Sequence, residues 1–116
     1  MNQYMKDEGD LRSYYSQIPH LADEELDPYE MRLYVHYKRV CGQGGECRET
    51  TETTATKTKM KSRKVQLTRQ ALAEKGWLRL EKRGTRGKER IYVTLVDRWN
   101  DNYKHFNNEA TSTPAP

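Results

Sequence analysis

Between Lys59 and Val96 the apolar residues change their period once, at Gly76-Trp77. Ahead of that point Val65, Thr68 and Leu72 recur at helical spacing. Beyond it "WLRLEKR" and "RIYVTLV" alternate apolar with charged or polar side chains about a glycine-rich "GTRGKE". Few architectures accommodate that switch. The helix has to stop where Gly76 supplies a left-handed C′ residue, and the chain then enters a β-hairpin with no room for a linker.

Upstream, the start signals are as explicit. Asp27 is an N-cap, Pro28 suits the first helical position and Glu30 completes a capping box. A helix is therefore predicted over 28–40, with Leu33, Tyr37 and Val40 inward and Tyr29 and Met31 beside them. The glycines of "CGQGGEC" end it. Threonine loses rotamer freedom in a helix, yet "TTETTATKTKM" puts Ala55 and Met60 where a short helix would bury them. Thr50 or Thr51 can cap that helix, which is predicted over about 51–58. A tight turn at Lys59 to Lys61 leads into a third helix over about 62–75. The hairpin follows at about 77–83 and 90–96. Asp97 caps a last helix over about 97–106, with Trp99, Tyr103 and Phe106 on one stripe. Two short helices joined by a tight turn, with a basic hairpin directly after the second, is the order of an α+β winged helix-turn-helix domain.

At 116 residues there is room for one such domain with a modest core. Residues 1–26 show no sustained period, and "SQIPHLADEEL" reads as extended chain leading into a cap. This segment is expected to be an acidic arm docked on a domain spanning 27–106. Residues 107–116, "NNEATSTPAP", have the composition of a disordered tail or a linker cut short, with a further domain beyond residue 116. No apolar run approaches a membrane span, and the N-terminus lacks the charged-then-apolar pattern of a secretory leader. A cytoplasmic, nucleoid-associated protein without membrane contact is the expectation.

The charge is segregated along the chain. Residues 1–30 hold two cations against eight acids, whereas residues 31–96 hold 17 Lys/Arg against six Asp/Glu. Positive density of that order points to a polyanion, of which nucleic acid is the commonest, ahead of a merely soluble basic surface. With Val65 set at 0° on a helical wheel, Thr68 falls at about 300° and Leu72 at about 340°, which fixes the inward side. Arg63, Gln66, Leu67 and Gln70 fall at about 100° to 200°, opposite it. Arg can grip guanine O6 and N7, Gln adenine N6 and N7, and an aliphatic group can meet a thymine methyl, so these four are candidate base contacts on double-stranded DNA. Leu67 fits equally a contact with the wing or another subunit, or the ordinary case of a single exposed leucine.

Lys57, Lys59, Lys61, Ser62, Lys64 and Arg69 flank that face and are candidate phosphate contacts, joined by the first amides of the third helix. Lys82, Arg83, Arg86, Lys88 and Arg90 surround Gly84 and Gly87. Such a wing can follow the backbone or insert Arg86 into a minor groove, although charge also blunts exposed strand edges.

Catalysis finds no support: there is no Ser/His/Asp set, no phosphate-cradling glycine loop and no carboxylate cluster in the basic region. Asp23, Glu24 and Glu25 lack convergent partners for a metal. Cys41 and Cys47 bracket "GQGGE" without a second cysteine pair, so no metal or cofactor is expected. Reduced thiols are the default reading. A short-loop disulfide is sterically conceivable, and His36 and His105 are stray candidates for a mixed site.

"ALAEKGWLRLEKRGTRGKERIYVTLV" resembles the end of the recognition helix and the wing of bacterial winged helix-turn-helix proteins. "YYSQIPHLADEELDPYEMRLYVHYKRVCGQGGEC" is similar to the leading segment of small helix-turn-helix proteins of phages, plasmids and mobile elements. Those proteins are related to replication initiators and to the N-terminal domain of DnaD-like primosomal proteins. The resemblance implies DNA binding, with a role in replication initiation or transcriptional control. Two positions depart from the usual pattern: Thr54 with Ala55 stands in place of Leu-Ala, and Lys61 in place of a small capping residue. A reading of another class is a protein-interaction module, with a homodimer formed through the arm or the C-terminal helix.

Overall fold

The computed structural model describes Glu8, Gly9 and residues 15–42, 46, 47, 49–87 and 90–112. Its elements run α1 (His20–Glu25), α2 (Pro28–Cys41), β1 (Glu46–Cys47), α3 (Thr51–Thr58), α4 (Ser62–Glu74), β2 (Leu78–Arg83), β3 (Arg90–Leu95) and α5 (Trp99–Ser112). This is a winged helix-turn-helix fold, α3 and α4 being joined by the tight turn and β2 and β3 forming the wing.

Both α2 and α3 begin where the chain supplies a side-chain acceptor. Asp27 Oδ1 accepts from the Glu30 amide at 2.8 Å while Glu30 Oε1 accepts from the Asp27 amide at 2.9 Å, closing the capping box of α2. Thr50 Oγ1 accepts from the Thr53 amide at 3.2 Å and caps α3. The α4 helix ends in a Schellman turn. Gly76 sits at φ +85°, its amide donates to Ala73 O, and the Trp77 amide donates to Leu72 O. That turn delivers Trp77 into the core and starts β2 at Leu78, the next residue.

β2 and β3 pair antiparallel from Leu78↔Leu95 to Arg83↔Arg90. β1 adds to the other edge of β3 through Glu46↔Thr94 and Cys47↔Val93, giving the order β1-β3-β2. A two-residue strand carries no period, so β1 has no signature in the sequence.

The core gathers Leu33, Tyr34 and Tyr37 of α2, Ala55 of α3, Val65 and Leu72 of α4, and Trp77, Leu78 and Val93 of the hairpin. Trp77 is fully buried, edge-on to Tyr34 at 5.3 Å. The Arg98 guanidinium lies 4.5 Å from the Trp77 ring centre. Glu25 Oε1 accepts from both Trp77 Nε1 (2.9 Å) and Arg98 (2.7 Å), and Lys75 bridges to Glu30 at 2.5 Å.

Several sequence expectations change here. His20–Glu25 is helix rather than extended chain, with Leu21 and Ala22 buried in the core. Its anchor is Asn102 of α5, whose Oδ1 accepts from the Leu21 amide at 2.9 Å. Tyr29 is exposed at 52% and Tyr34 is buried in its place, so the inward stripe of α2 is Glu30, Leu33, Tyr34, Tyr37 and Cys41. Tyr103 points outward at 59% exposure, leaving Asn102 and Phe106 to face the body. α5 also continues six residues past the expected end, through 107–112, stopping short of Pro114, which cannot continue a helix. Residues 113–116 and the leading residues 1–7 and 10–14 lie outside the described residues, as does the "GQG" stretch's remainder at 43–45.

Glu49 joins α2 to α3. Its Oε1 accepts from Thr54 Oγ1 and pairs with His36 Nε2, both at 2.7 Å, and its Oε2 pairs with Lys57 at 3.2 Å. Burial works to raise its pKa, but the hydrogen bonds from His36, Thr54 and Lys57 together hold it below the usual carboxylate value. A carboxylate depressed in the folded state stabilises the fold above its unfolded pKa, and that contribution is lost as pH falls through the folded value. Unfolding stability should therefore decline below about pH 4.3, and Glu49→Gln should flatten part of that decline. Urea titrations at several pH values will read it: an identical slope in wild type and variant would remove Glu49 as the source.

Candidate nucleic-acid interface

The α4 helix is held from one side only. Val65 and Leu72 are fully buried and Thr68 is buried beside them, so the inner face is fixed. Arg63, Gln66, Leu67 and Gln70 all emerge on the outer face and are exposed. Leu67 is 53% exposed, so neither the wing nor the core covers it. Lys61 is the N-cap residue and offers no side-chain acceptor, nor does Ser62 cap in its place. The first amides of α4 therefore lack a side-chain cap at the end where the helix dipole is positive.

Around this end the cations are held in distinct ways. Lys59 occupies the turn in a left-handed conformation at φ 60°, ψ 34°, with its side chain exposed. Lys64 Nζ sits 4.1 Å over the Tyr29 ring, which fixes the lysine on the flank of α4. The spacing of Tyr29 suggests a core residue, and nothing in the sequence marks it as a support for Lys64. Lys57 is half-exposed and already paired with Glu49.

Arg69 does not belong to this surface. It is 4% exposed, and Nη1 donates to Thr51 Oγ1 at 3.2 Å while the guanidinium also hydrogen-bonds the Tyr37 hydroxyl. The reason is its position four residues after Val65, only about 40° from that fully buried side chain on the helical wheel. It ties α4 to α2 and α3 and is not available to a phosphate.

On the wing, Arg86 is exposed near the tip, with Gly84 at φ +122° and Gly87 at φ +87° turning the chain where a side chain would be strained. Arg83 lies 4.5 Å over the Tyr92 ring and pairs with Glu81 at 2.8 Å. Lys82 and Arg90 are exposed and line a cleft of about 350 Å³ with Ile91 and with Glu49, Thr50, Thr51 and Glu52 at the start of α3. No local signal in the sequence marks the wing and α3 as sharing a cleft. Lys88 lies outside the described residues.

Two described acids of the leading segment are engaged elsewhere. Glu25 and Glu30 pair with Arg98 and Lys75, at the C-terminal end of α4. The cationic end of the helix is the opposite one, at Lys59 to Lys64. Among the described residues no group of three or more His, Cys, Asp or Glu is placed to hold a metal, and no helix is long and apolar enough to cross a membrane.

No family model matches the chain, and no curated protein does. Among solved structures it is similar to a MarR family regulator from Neisseria meningitidis, at 12% identity and a TM-score of 0.46, covering 79% of this chain and 60% of that one. It is also similar to a MarR family transcriptional regulator from Silicibacter pomeroyi, at 19% identity and a TM-score of 0.49, covering 84% of this chain and 64% of that one. The chain thus spans about three fifths of the length of these structures.

Lys59 gives a test in which folding and surface chemistry separate. A non-glycine residue in the left-handed region costs roughly 1–2 kcal/mol, part of which glycine recovers. Lys59→Gly should raise unfolding stability by about 1 kcal/mol in urea while weakening any polyanion bound at this end of α4. A variant that loses stability would show that the lysine side chain itself supports the turn.

Proposed function

We propose that the protein binds double-stranded DNA, with α4 in the major groove and the wing on the adjacent backbone or minor groove. The observation that carries this reading is the outer face of α4, where Arg63, Gln66, Leu67 and Gln70 are exposed together beside an uncapped, lysine-flanked helix start. Arg63, Gln66 and Gln70 would read base edges and Leu67 a thymine methyl. Lys57, Lys59, Lys61, Ser62 and Lys64 would hold phosphates, and Lys82, Arg83, Arg86, Lys88 and Arg90 would serve the wing. The biological role we propose is control of transcription or of replication initiation, in the setting of a phage, plasmid or mobile element and at the nucleoid. The binding unit is the body around 27–106.

The test is fluorescence anisotropy on a random duplex across a salt series. Log affinity should fall linearly with log salt, with a slope of several units, as counterions leave the neutralised phosphates. Absence of binding at low salt would end the reading.

A second reading is supported by a different surface. Tyr15 and Tyr103 are exposed at 58% and 59%, and Trp99 and Phe106 border a cleft of about 540 Å³ between α5 and the chain before α1. A second copy docking along α5 would cover them. Solution mass by light scattering, with Tyr103→Glu as the disrupting variant, decides whether such a dimer forms.

A further inference from the structure

Two exposed side chains of α2 reach the turn between α3 and α4, one at each end of it. Arg32 Nη2 donates to Lys57 O at 3.1 Å, in the last turn of α3. Tyr29, three residues earlier and so on the same side of α2, presents the ring over which Lys64 Nζ sits at 4.1 Å, at the start of α4. Lys59 and Lys61 lie in sequence between these two contacts. We propose that α2 is a third DNA-contacting element, in which Arg32 binds a phosphate beside the turn and Tyr29 is a positioning residue that holds Lys64 for the same stretch of backbone. This rests on the duplex binding proposed for α4 and the wing, and extends it to a helix that otherwise serves as their support.

Neither side chain is needed to seat α2. The capping box of Asp27 and Glu30 fixes its start, and Leu33, Tyr34 and Tyr37 bury its inner face. Tyr29 is 52% exposed and Arg32 is exposed as well. Lys57 O is one of the last four carbonyls of α3, which a helix end leaves without an amide partner. Arg32 satisfies it with one of the five N–H groups of a guanidinium. The others remain for an acceptor that arrives from solvent, and the planar fork suits the oxygens of a phosphate. An ammonium resting on an aromatic face gives up rotamer freedom in advance yet keeps N–H donors for a phosphate, so the Tyr29 ring lowers the ordering cost of that contact. Among the described residues, none of the ion pairs involves Arg32, Lys59, Lys61 or Lys64. Four cations without an internal carboxylate partner thus border one turn, and α2 holds two of them.

The experiment is fluorescence anisotropy of the full-length protein on a random duplex across a salt series, at a temperature where thermal melts show every variant folded. Arg32→Gln keeps a donor and removes the charge. It should weaken binding to all sequences and make the salt slope shallower by about one unit, whereas Arg32→Lys should retain the slope. A capping role alone would move the melting temperature and leave the slope unchanged. Tyr29→Ala should weaken binding about two- to fivefold at low salt, and Tyr29→Phe, which keeps the ring face, should bind as the wild type does. In a Lys64→Gln background Tyr29→Ala should add nothing. An unchanged slope in Arg32→Gln, or losses for Tyr29→Ala and Lys64→Gln that simply add, would overturn the proposal while duplex binding through α4 stands. A wild-type protein that does not bind the duplex would remove both.

Discussion

Trp77→Ala should lower the unfolding free energy by about 3–5 kcal/mol, the largest effect expected of any single substitution in this chain. The side chain is fully buried and links three parts of the molecule: Tyr34 of α2, Arg98 ahead of α5, and Glu25 at the end of α1. Truncation leaves a cavity that the Schellman turn cannot close, because the Trp77 amide is bound to Leu72 O and its carbonyl accepts from the Val96 amide at 3.1 Å. It also strips the packing from the Arg98 guanidinium. For a domain of this size the loss is a large share of the roughly 5–15 kcal/mol that holds a native fold. Trp77→Phe is the informative control. It keeps a ring and forfeits the Nε1 hydrogen bond, yet Glu25 retains Arg98, so no buried acceptor is orphaned and the penalty should be smaller. Urea titrations of both variants measure this, and a cost under about 1 kcal/mol for Trp77→Ala would mean the pocket collapses and the packing argument is wrong.

Arg63→Ala should cost about 1–3 kcal/mol on the best duplex recovered by site selection, roughly 5- to 150-fold in Kd, and should relax the preference at one base pair. Lys61→Ala, by contrast, should weaken every sequence alike and reduce the salt slope. The two behave differently because Arg63 projects from the outer face of α4, while Lys61 precedes its first turn. Equal losses on selected and random duplexes for Arg63→Ala would remove it as a base reader while leaving backbone binding intact. Thermal melts of both variants should match the wild type, since neither side chain is buried.

Much of this architecture is legible in the sequence because its signals are local. Asp27 with Glu30, Thr50 with Thr53, and Gly76 each act within a few residues, and the helix and strand limits they imply lie within two residues of those observed from α2 to β3, β1 apart. What is illegible depends on distant partners. α1 is too short to show a period and is pinned by Asn102, 81 residues away, while β1 is defined only by its pairing with β3. The sequence reading sets Tyr29 beside the inward stripe, whereas it is Tyr34 that is buried, edge-on to Trp77, a partner 43 residues away. Residue type alone puts Arg69 among the phosphate contacts, as a cation in a cationic helix, although its angle on the wheel already turns it inward. For the outer face of α4, geometry and residue type agree.

That agreement bears on how such a protein could change its preference over time. α4 is anchored wholly from behind, by Val65, Thr68, Arg69 and Leu72, and its end is clamped by the turn at Gly76 and Trp77. Positions 63, 66, 67 and 70 take no part in that anchoring. They are free to be rewritten, singly or together, without passing through an unfolded ancestor, so the scaffold separates what must be inherited from what can be varied.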